Sequence, residues 1–157
     1  HDTEEIVEMI EKIDPTRLVN NASGWVDKGV GDVHDIHDYP GPSSPTPEPD
    51  RAAVLGEFGG VGLEYPEHTW KGDVDWGARN VDQFTRAYVR MMKGVHRLKG
   101  SPGLSAAVYT QTTDLEVDEI NGMITYDRDI VKPHVETVAD MNQRVIHTMP
   151  ESHSSGK

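Results

Sequence analysis

Apolar positions along this chain recur with two different periods, one typical of helices and one typical of buried strands. Helical spacing of apolar residues occurs in three stretches, at residues 3–13, about 80–98 and about 130–146. Short apolar runs typical of buried strands occur in four places, at residues 17–20, 33–37, 52–57 and 104–109. The sequence therefore predicts the order helix, strand, strand, strand, helix, strand, helix.

The first and last predicted helices each carry an apolar stripe that should face a core. The stripe of the first helix consists of Ile6, Val7, Ile10 and Ile13. The stripe of the last helix consists of Val131, Val135, Val138, Met141 and Val145. Pro133 would lie in the first turn of that last helix, where its missing N–H is tolerated.

Polar or aromatic residues follow each predicted strand directly. The strands run into Asn, Asp, Glu, Trp or Tyr, and such residues at one end of successive strands indicate parallel strands that share a ligand-binding edge. Residues 40–50 include five prolines and are predicted to form an irregular loop. The crossovers at 21–32 and 41–51 lack a helical pattern and are near the minimum length for a parallel return.

The third strand ends on one carboxylate, Glu57, which is flanked by Gly56, Gly59 and Gly60. A carboxylate at the end of a buried strand must meet polar partners or a ligand. Glycine beside it removes side-chain bulk, so a substrate could approach the backbone closely. Two interpretations stay open at this point: a nucleophilic carboxylate at the carboxyl end of a barrel strand, or a structural Glu paired with Arg or His.

Composition and charge narrow the range of ligands. The 157 residues carry a formal net charge of −12 and a mean hydropathy of −0.61. That charge argues against nucleic acid and anionic membrane as partners, since both need a basic face, and it is compatible with neutral or cationic ligands, sugars included. Cysteine is absent, which excludes thiolate chemistry. No apolar run approaches the roughly 18 residues of a membrane span.

The length fits part of a larger architecture. A complete eight-stranded (β/α)8 barrel takes about 250 residues, or roughly 30 for each strand and helix. Four strands in 157 residues fit half of such a barrel, and a chain that opens and closes on a helix fits the second half. Strand edges would then be open on both sides. We therefore expect a preceding half in the natural protein, or a second copy that covers those edges.

Ordered motifs in the chain resemble glycoside hydrolase family 2, the β-galactosidase and β-glucuronidase group. They are NNASGW at 20–25, DVHDIHDYP at 32–40, LGEFGG at 55–60, AVYTQTTD at 107–114, NG at 121–122 and TYDR at 125–128. The resemblance covers about residues 5–147 and falls on the last four strands of the family's catalytic barrel. It implies that residues 1–149 are the C-terminal half of that barrel and that 150–157 form a flexible tail.

The resemblance implies a retaining β-glycosidase that needs no cofactor or metal. Glu57 matches the nucleophile on the seventh strand, and Tyr39 matches the tyrosine beside it, whose hydroxyl would hydrogen-bond the carboxylate. Such enzymes use a second carboxyl group, about 5.5 Å away, as acid and base. In this family that group belongs to an Asn-Glu pair ending the fourth strand. Asn20-Asn21 ends the fifth strand and has no carboxylate, so we expect the acid upstream and the chain alone to be inactive.

Further residues are expected to contact a carbohydrate substrate. These residues are Asn20, Trp25, His37, Trp70, Tyr109, Gln111 and Asp114. The tryptophans could stack on sugar rings or serve packing, and His37 could touch substrate or only hydrogen-bond within the barrel. Tyr109, Gln111 and Asp114 lie on and after the last strand, at the predicted cleft.

Two clusters could be taken for metal sites. His34 and His37 would point to opposite faces of their strand, so a bidentate pair is not expected. The acidic residues between Asp114 and Asn121 lack the glycine spacing of an EF-hand, and a solvated loop is the favoured interpretation. Two other functions stay open: a carbohydrate-binding or scaffold module that lost catalysis, and an unrelated metal-binding or hydrolytic α/β domain.

Overall fold

A parallel sheet with helices packed on it forms the framework of the protein. The computed structural model describes residues 2–21, 24–71, 76–116 and 119–150. The elements are α1 (Thr3–Ile13), β1 (Val33–Asp38), β2 (Ala52–Gly59), α2 (Val81–Gly100), β3 (Ala106–Thr110) and α3 (Val135–His147). Within the described residues the sheet has three strands in the order β1-β2-β3, all parallel. The predicted α/β class with parallel strands is therefore confirmed.

The first predicted strand, at residues 17–20, is not a strand. Asp32 N–H donates to the Val19 carbonyl at 2.9 Å, and His37 N–H donates to the Gly24 carbonyl at 3.2 Å. From Val19 to Gly24 and from Asp32 to His37 the sequence advances by five residues, so Val19 and Gly24 lie beside β1 in parallel order. The Asp32 carboxylate accepts a hydrogen bond from the Val19 N–H at 2.7 Å. This bond to a side chain stands where a regular strand would make a backbone hydrogen bond.

The connection between β1 and β2 is an irregular loop, as the prolines of 40–50 predicted. Arg51 fixes its far end by donating to the carboxylates of Asp27 and Glu48, at distances of 2.7–2.8 Å. Because prolines cannot donate backbone hydrogen bonds, they disfavour a helix in this loop, and the ion pairs of Arg51 link its end to Asp27.

The core lies between one face of the sheet and α2. Leu55 and Phe58 of β2 are 0% and 1% exposed and pack in one cluster with Phe84, Met91 and Val95 of α2. Burying a side chain of this size is worth roughly 2–3 kcal/mol. Asn80 begins α2, and its side chain accepts from the Gln83 N–H at 2.9 Å, which satisfies one of the free N–H groups of the first turn.

A β-bulge interrupts β2 just before its end. Ile36 of β1 faces Leu55 and His37 faces Glu57, so Gly56 is an extra residue without a partner. The extra residue reverses the alternation of side chains. Leu55 and Phe58 both reach the core, and Glu57 points to the opposite face of the sheet.

The last helix starts later than predicted. It begins at Val135, so Pro133 precedes it instead of lying in its first turn. Val131 and Val135 are each 52% exposed, so their predicted inward orientation is wrong, whereas Met141 is buried as predicted. The physical reason lies at Lys132. Its buried amine is anchored by the neighbouring loops, and the segment follows those loops instead of coiling.

The apolar stripe of α1 does not face a core. Val7 is 5% exposed, but Ile6, Ile10 and Ile13 are 48%, 40% and 76% exposed. In the part of the chain that is described, no helix is long and apolar enough to cross a membrane. The predicted tail from 150 to 157 lies outside the described residues except for Pro150, which packs where a Cβ on Gly100 would lie.

Candidate active site

Glu57 lies at the carboxyl end of the central strand, with its side chain 43% exposed. Tyr39, directly after β1, donates its hydroxyl to Glu57 Oε2 at 2.6 Å. His37 Nδ1 lies 3.2 Å from the same oxygen, although without hydrogen-bond geometry. Tyr39 and His37 both contact Oε2, and no hydrogen bond among the described residues involves Oε1. The contacts of the carboxylate within the described residues are therefore made through one oxygen.

The Tyr39 hydroxyl is kept neutral by its surroundings. Burial, followed by the hydrogen bond to Glu57, raises the pKa of Tyr39 to about 12. Its ring packs 6.0 Å from the ring of Trp76, which donates its own N–H to the Gly59 carbonyl at 2.8 Å. Tyr39 is therefore a fixed hydrogen-bond donor at neutral pH.

Asp35 supports the bulge that aims Glu57. The Gly56 N–H donates to Asp35 Oδ1 at 2.8 Å, and the Asn20 amide donates to Asp35 Oδ2 at 2.6 Å. A Cβ on Gly56 would overlap the Asp35 carboxylate. The glycine expected to leave room for a ligand thus leaves room for this carboxylate.

The other two glycines also serve packing. A Cβ on Gly59 would overlap the Tyr109 ring, and one on Gly60 would press on Trp76 and Tyr39. Both glycines have positive φ values, 101° and 65°, which residues with a side chain rarely adopt. The expectation that glycine admits a substrate to the backbone is therefore not met at these positions.

A cleft opens beside Glu57 on the β1 side. Its volume is about 690 Å³ and its lining includes Asn20, Trp25, His37 and Glu57 together with Lys28. Trp25 is 68% exposed, and its ring meets the His37 ring edge to face at 5.4 Å. Four of the predicted site residues are thus brought together around one opening.

Tyr109 does not face this cleft. Its ring packs against Phe58 at 5.6 Å and against Tyr88 of α2 at 5.0 Å, in the helix-side layer. Burial raises the pKa of Tyr109 well above its ordinary value. The neighbouring Thr110 is the residue whose side chain turns toward Tyr39, and the contact of Tyr109 with substrate stays a prediction.

Asp114 is buried in an ion pair and lies neither at the cleft nor in a solvated loop. Lys132 Nζ approaches its carboxylate oxygens at 2.6 and 2.7 Å, and the Gly122 N–H donates to it at 2.7 Å. Lys132 also donates to the carbonyls of Leu63 and Ile120. Burial raises the pKa of Asp114 and lowers that of Lys132, and their contact opposes both effects. The pair joins three loops above the sheet.

Gln111 directly follows the strand that carries Thr110, but it does not line the cleft. Its amide donates to Glu119 at 2.6 Å and to Asn121 at 2.7 Å. The negative charge of Glu119 contributes to the raised pKa of Tyr39. Asp118 of the predicted acidic cluster lies outside the described residues.

Trp70 lies in the loop after β2 and does not line the cleft. It is 59% exposed and meets Tyr126 edge to face at 5.5 Å. The ring contact that the structure describes for Trp70 is thus with Tyr126, and its stacking on a sugar stays a prediction.

Two groups of side chains combine histidine with carboxylates. His34 lies 2.7 Å from Glu48, beside the carboxylate pair that Arg51 already occupies. His68 lies 2.7 Å from Asp127, whose other oxygen accepts the Thr125 hydroxyl. Both groups are ion-pair networks, although His34 Nδ1 makes its contact with Glu48 without hydrogen-bond geometry. His34 and His37 belong to separate clusters and share no partner.

Sequence reasoning missed Asp35 and Thr110 as members of the site. A signal existed for Asp35, because it lies two residues before His37 and so shares its strand face. No comparable signal existed for Thr110, since the alternation in β3 does not reveal which face meets the helices.

The comparisons with known proteins add no assignment. No family model matches the chain, and no curated protein matches it.

Proposed function

We propose that this chain is the C-terminal half of the (β/α)8 catalytic barrel of a retaining β-glycosidase, with Glu57 as its nucleophile. The observation that supports this most is the Tyr39 hydroxyl 2.6 Å from Oε2 of a partly exposed carboxylate at the carboxyl edge of a parallel sheet. Glu57 also lines the cleft, and no hydrogen bond among the described residues involves its Oε1.

The proposed chemistry begins with attack of Glu57 Oε1 on the anomeric carbon of a β-linked sugar. The carbon–oxygen bond to the leaving group breaks as the new bond forms, and the leaving oxygen takes a proton from an acid. Positive charge develops on the sugar and is stabilised by the nearby carboxylate. Water then hydrolyses the glycosyl ester, which regenerates Glu57 and retains the anomeric configuration.

Tyr39 would act on Glu57 in both steps. Its hydroxyl holds Oε2 in place, so the carboxylate does not rotate and Oε1 stays aimed at the cleft. When the ester forms, negative charge leaves the carboxylate and the hydrogen bond weakens. Tyr39 therefore favours the ionised nucleophile before attack and a good leaving group when water arrives.

The acid is assigned to a part of the barrel upstream of this chain. A retaining enzyme needs it about 5.5 Å from the nucleophile. Among the described residues that line the cleft, the second carboxylate is Asp35, and N–H donors engage both of its oxygens. The partners of the chain would then be a carbohydrate and either the remainder of the barrel or a second copy along the open sheet edge.

A second candidate is a carbohydrate-binding or scaffold module that keeps the barrel strands without catalysis. The engagement of Asp35 is the observation that favours it, because this carboxylate is arranged as an acceptor and not as a proton donor. Trp25, exposed beside the cleft, would serve sugar binding under either proposal.

Hydrolysis of aryl β-glycosides separates the two candidates. The longer protein, with the remaining strands joined to this chain, should be active, and Glu57→Gln should lower kcat on the order of 10⁴-fold or more. Glu64→Gln, at an exposed position in the next loop, is the matched control and should stay active. An inactive longer protein that still binds sugar would support the module. Activity of the isolated chain would overturn the assignment of the acid to another segment.

A further inference from the structure

Thr110 adds a third member to the hydrogen-bonded pair of Tyr39 and Glu57. Its hydroxyl oxygen lies 3.0 Å from the Tyr39 hydroxyl oxygen, which itself lies 2.6 Å from Glu57 Oε2. A phenol has one proton to donate, and an ionised carboxylate can only accept. The Tyr39 proton therefore belongs to the shorter bond with Glu57, and the Thr110 hydroxyl donates to the phenol oxygen.

The position of Thr110 is fixed independently of this bond. Thr110 ends β3, where it pairs with Gly59, and its carbonyl accepts the Gly60 N–H at 2.8 Å. Trp76 confines the Tyr39 ring from another side. The phenol oxygen is thus placed by its ring, and Thr110 decides how its proton and lone pairs are directed.

We infer that Thr110 is a positioning residue, whose hydroxyl directs the Tyr39 proton onto Glu57 and so keeps the carboxylate oriented. The role in catalysis rests on the proposed function of Glu57. The hydrogen-bond chain itself does not, because it follows from the three side chains. Donation in series also strengthens each bond, because a phenol that accepts a hydrogen bond from Thr110 becomes a stronger donor to Glu57.

Titration of Tyr39 tests whether the Thr110 hydroxyl interacts with the phenol oxygen. A hydroxyl that donates to the phenol oxygen stabilises the phenolate, so its loss should raise the pKa of Tyr39 above about 12. We expect Thr110→Val to reduce the Tyr39 phenolate roughly three- to ten-fold at a fixed pH below the midpoint. Thr110→Ser, which keeps the hydroxyl, should match the parent chain.

The phenolate can be followed by ultraviolet absorbance, with the Tyr39→Phe spectrum subtracted and folding checked by circular dichroism at the same pH. If Thr110→Val unfolds there, Thr110→Ala provides the same comparison. An equal phenolate fraction in the parent and the variant without the hydroxyl would overturn the inference. A loss in Thr110→Ser as large as in Thr110→Val would also overturn it.

Reactivity of Glu57 gives the second readout, in the longer protein. With an activated 2-fluoro glycoside, Thr110→Val should slow labelling several-fold in the parent background and have no effect in the Tyr39→Phe background. Equal slowing in both backgrounds would mean that Thr110 does not act through Tyr39. Absence of labelling at Glu57 together with an intact Tyr39 titration effect would refute the proposed function and leave the hydrogen-bond chain standing.

Discussion

At the scale of single residues, the orientation of Glu57 depends on one extra residue in its strand. Gly56 has no partner in β1, and its N–H is satisfied by Asp35. Without the bulge, Glu57 would share the face of Leu55 and meet the core. The sequence predicts a carboxylate at the end of this strand, and the resemblance to the glycosidase family implies its tyrosine partner. It does not reveal the bulge, since a glycine there is equally compatible with a turn or an open approach.

Gly56→Ala tests the role of the bulge. The new Cβ would overlap the Asp35 carboxylate, so we expect a loss of about 1–3 kcal/mol in the free energy of unfolding, measured by urea denaturation. Asp35→Ala should relieve much of the overlap when combined with Gly56→Ala. If the effects of the two substitutions simply add, the carboxylate does not fill the space that the glycine leaves.

Lys132→Met tests the buried ion pair. Removing the amine leaves the Asp114 carboxylate buried without its cation, which should cost about 3–5 kcal/mol of stability. Lys93→Met, at an exposed position of α2, is the matched control and should stay within about 0.5 kcal/mol of the parent. Adding Asp114→Asn to Lys132→Met should recover part of the loss. A loss of similar size in both lysine variants would contradict the role of the pair.

At the scale of elements, the sequence predicts α1, α2 and the irregular β1–β2 loop well because their signals are local: helical periodicity and prolines. It fails at residues 17–20 and at the start of α3. Both errors have a tertiary cause. Side chains of Asp32 and Lys132 hold these segments by contacts that connect distant parts of the chain, and no local pattern encodes such contacts.

The helix α1 offers a test of which apolar residues are packed. Val7 is buried, so Val7→Ala should cost about 2 kcal/mol of unfolding free energy. Ile13 is 76% exposed, so Ile13→Ala should change stability by no more than about 0.5 kcal/mol. Chemical denaturation of the two variants checks this. A larger loss at Ile13 would mean that the stripe is covered in solution.

The contact between His68 and Asp127 ties the loop after β2 to the loop before α3 and should make stability depend on acid. The Thr125 hydroxyl, followed by His68, lowers the pKa of Asp127 to about 2. Because the pKa in the folded state lies below that of the unfolded state, about 3.9, this carboxylate stabilises the fold above pH 4. That contribution is lost as the pH falls toward 2.

Asp127→Asn removes the titrating group, so its stability should fall less steeply than that of the parent between pH 4 and pH 2. Denaturant titrations at intervals across this range measure the slope. An unchanged slope in Asp127→Asn would contradict the contribution of the pair.

At the scale of the whole molecule, the sheet of the described residues has no strand beyond β3, whereas its β1 edge is partly covered by hydrogen bonds to the carbonyls of Val19 and Gly24. Val108 of β3 is 56% exposed, and most of the α1 stripe is exposed as well. These surfaces fit the proposal that further strands complete a barrel around Glu57. Length and element order predict such an incomplete architecture, but the order of strands alone does not distinguish half a barrel from an open sheet.

Covalent labelling tests the central proposal, the nucleophilic role of Glu57, most directly. A panel of 2-deoxy-2-fluoro β-glycosides with dinitrophenolate leaving groups is added to the longer protein. This leaving group departs without protonation, and the fluorine slows hydrolysis of the ester, so the glycosyl-enzyme accumulates. Peptide mapping by mass spectrometry should place one glycosyl group on Glu57, with no labelling in Glu57→Gln and unchanged labelling in Glu64→Gln. A label on any other residue, or one that persists in Glu57→Gln, would contradict the proposal.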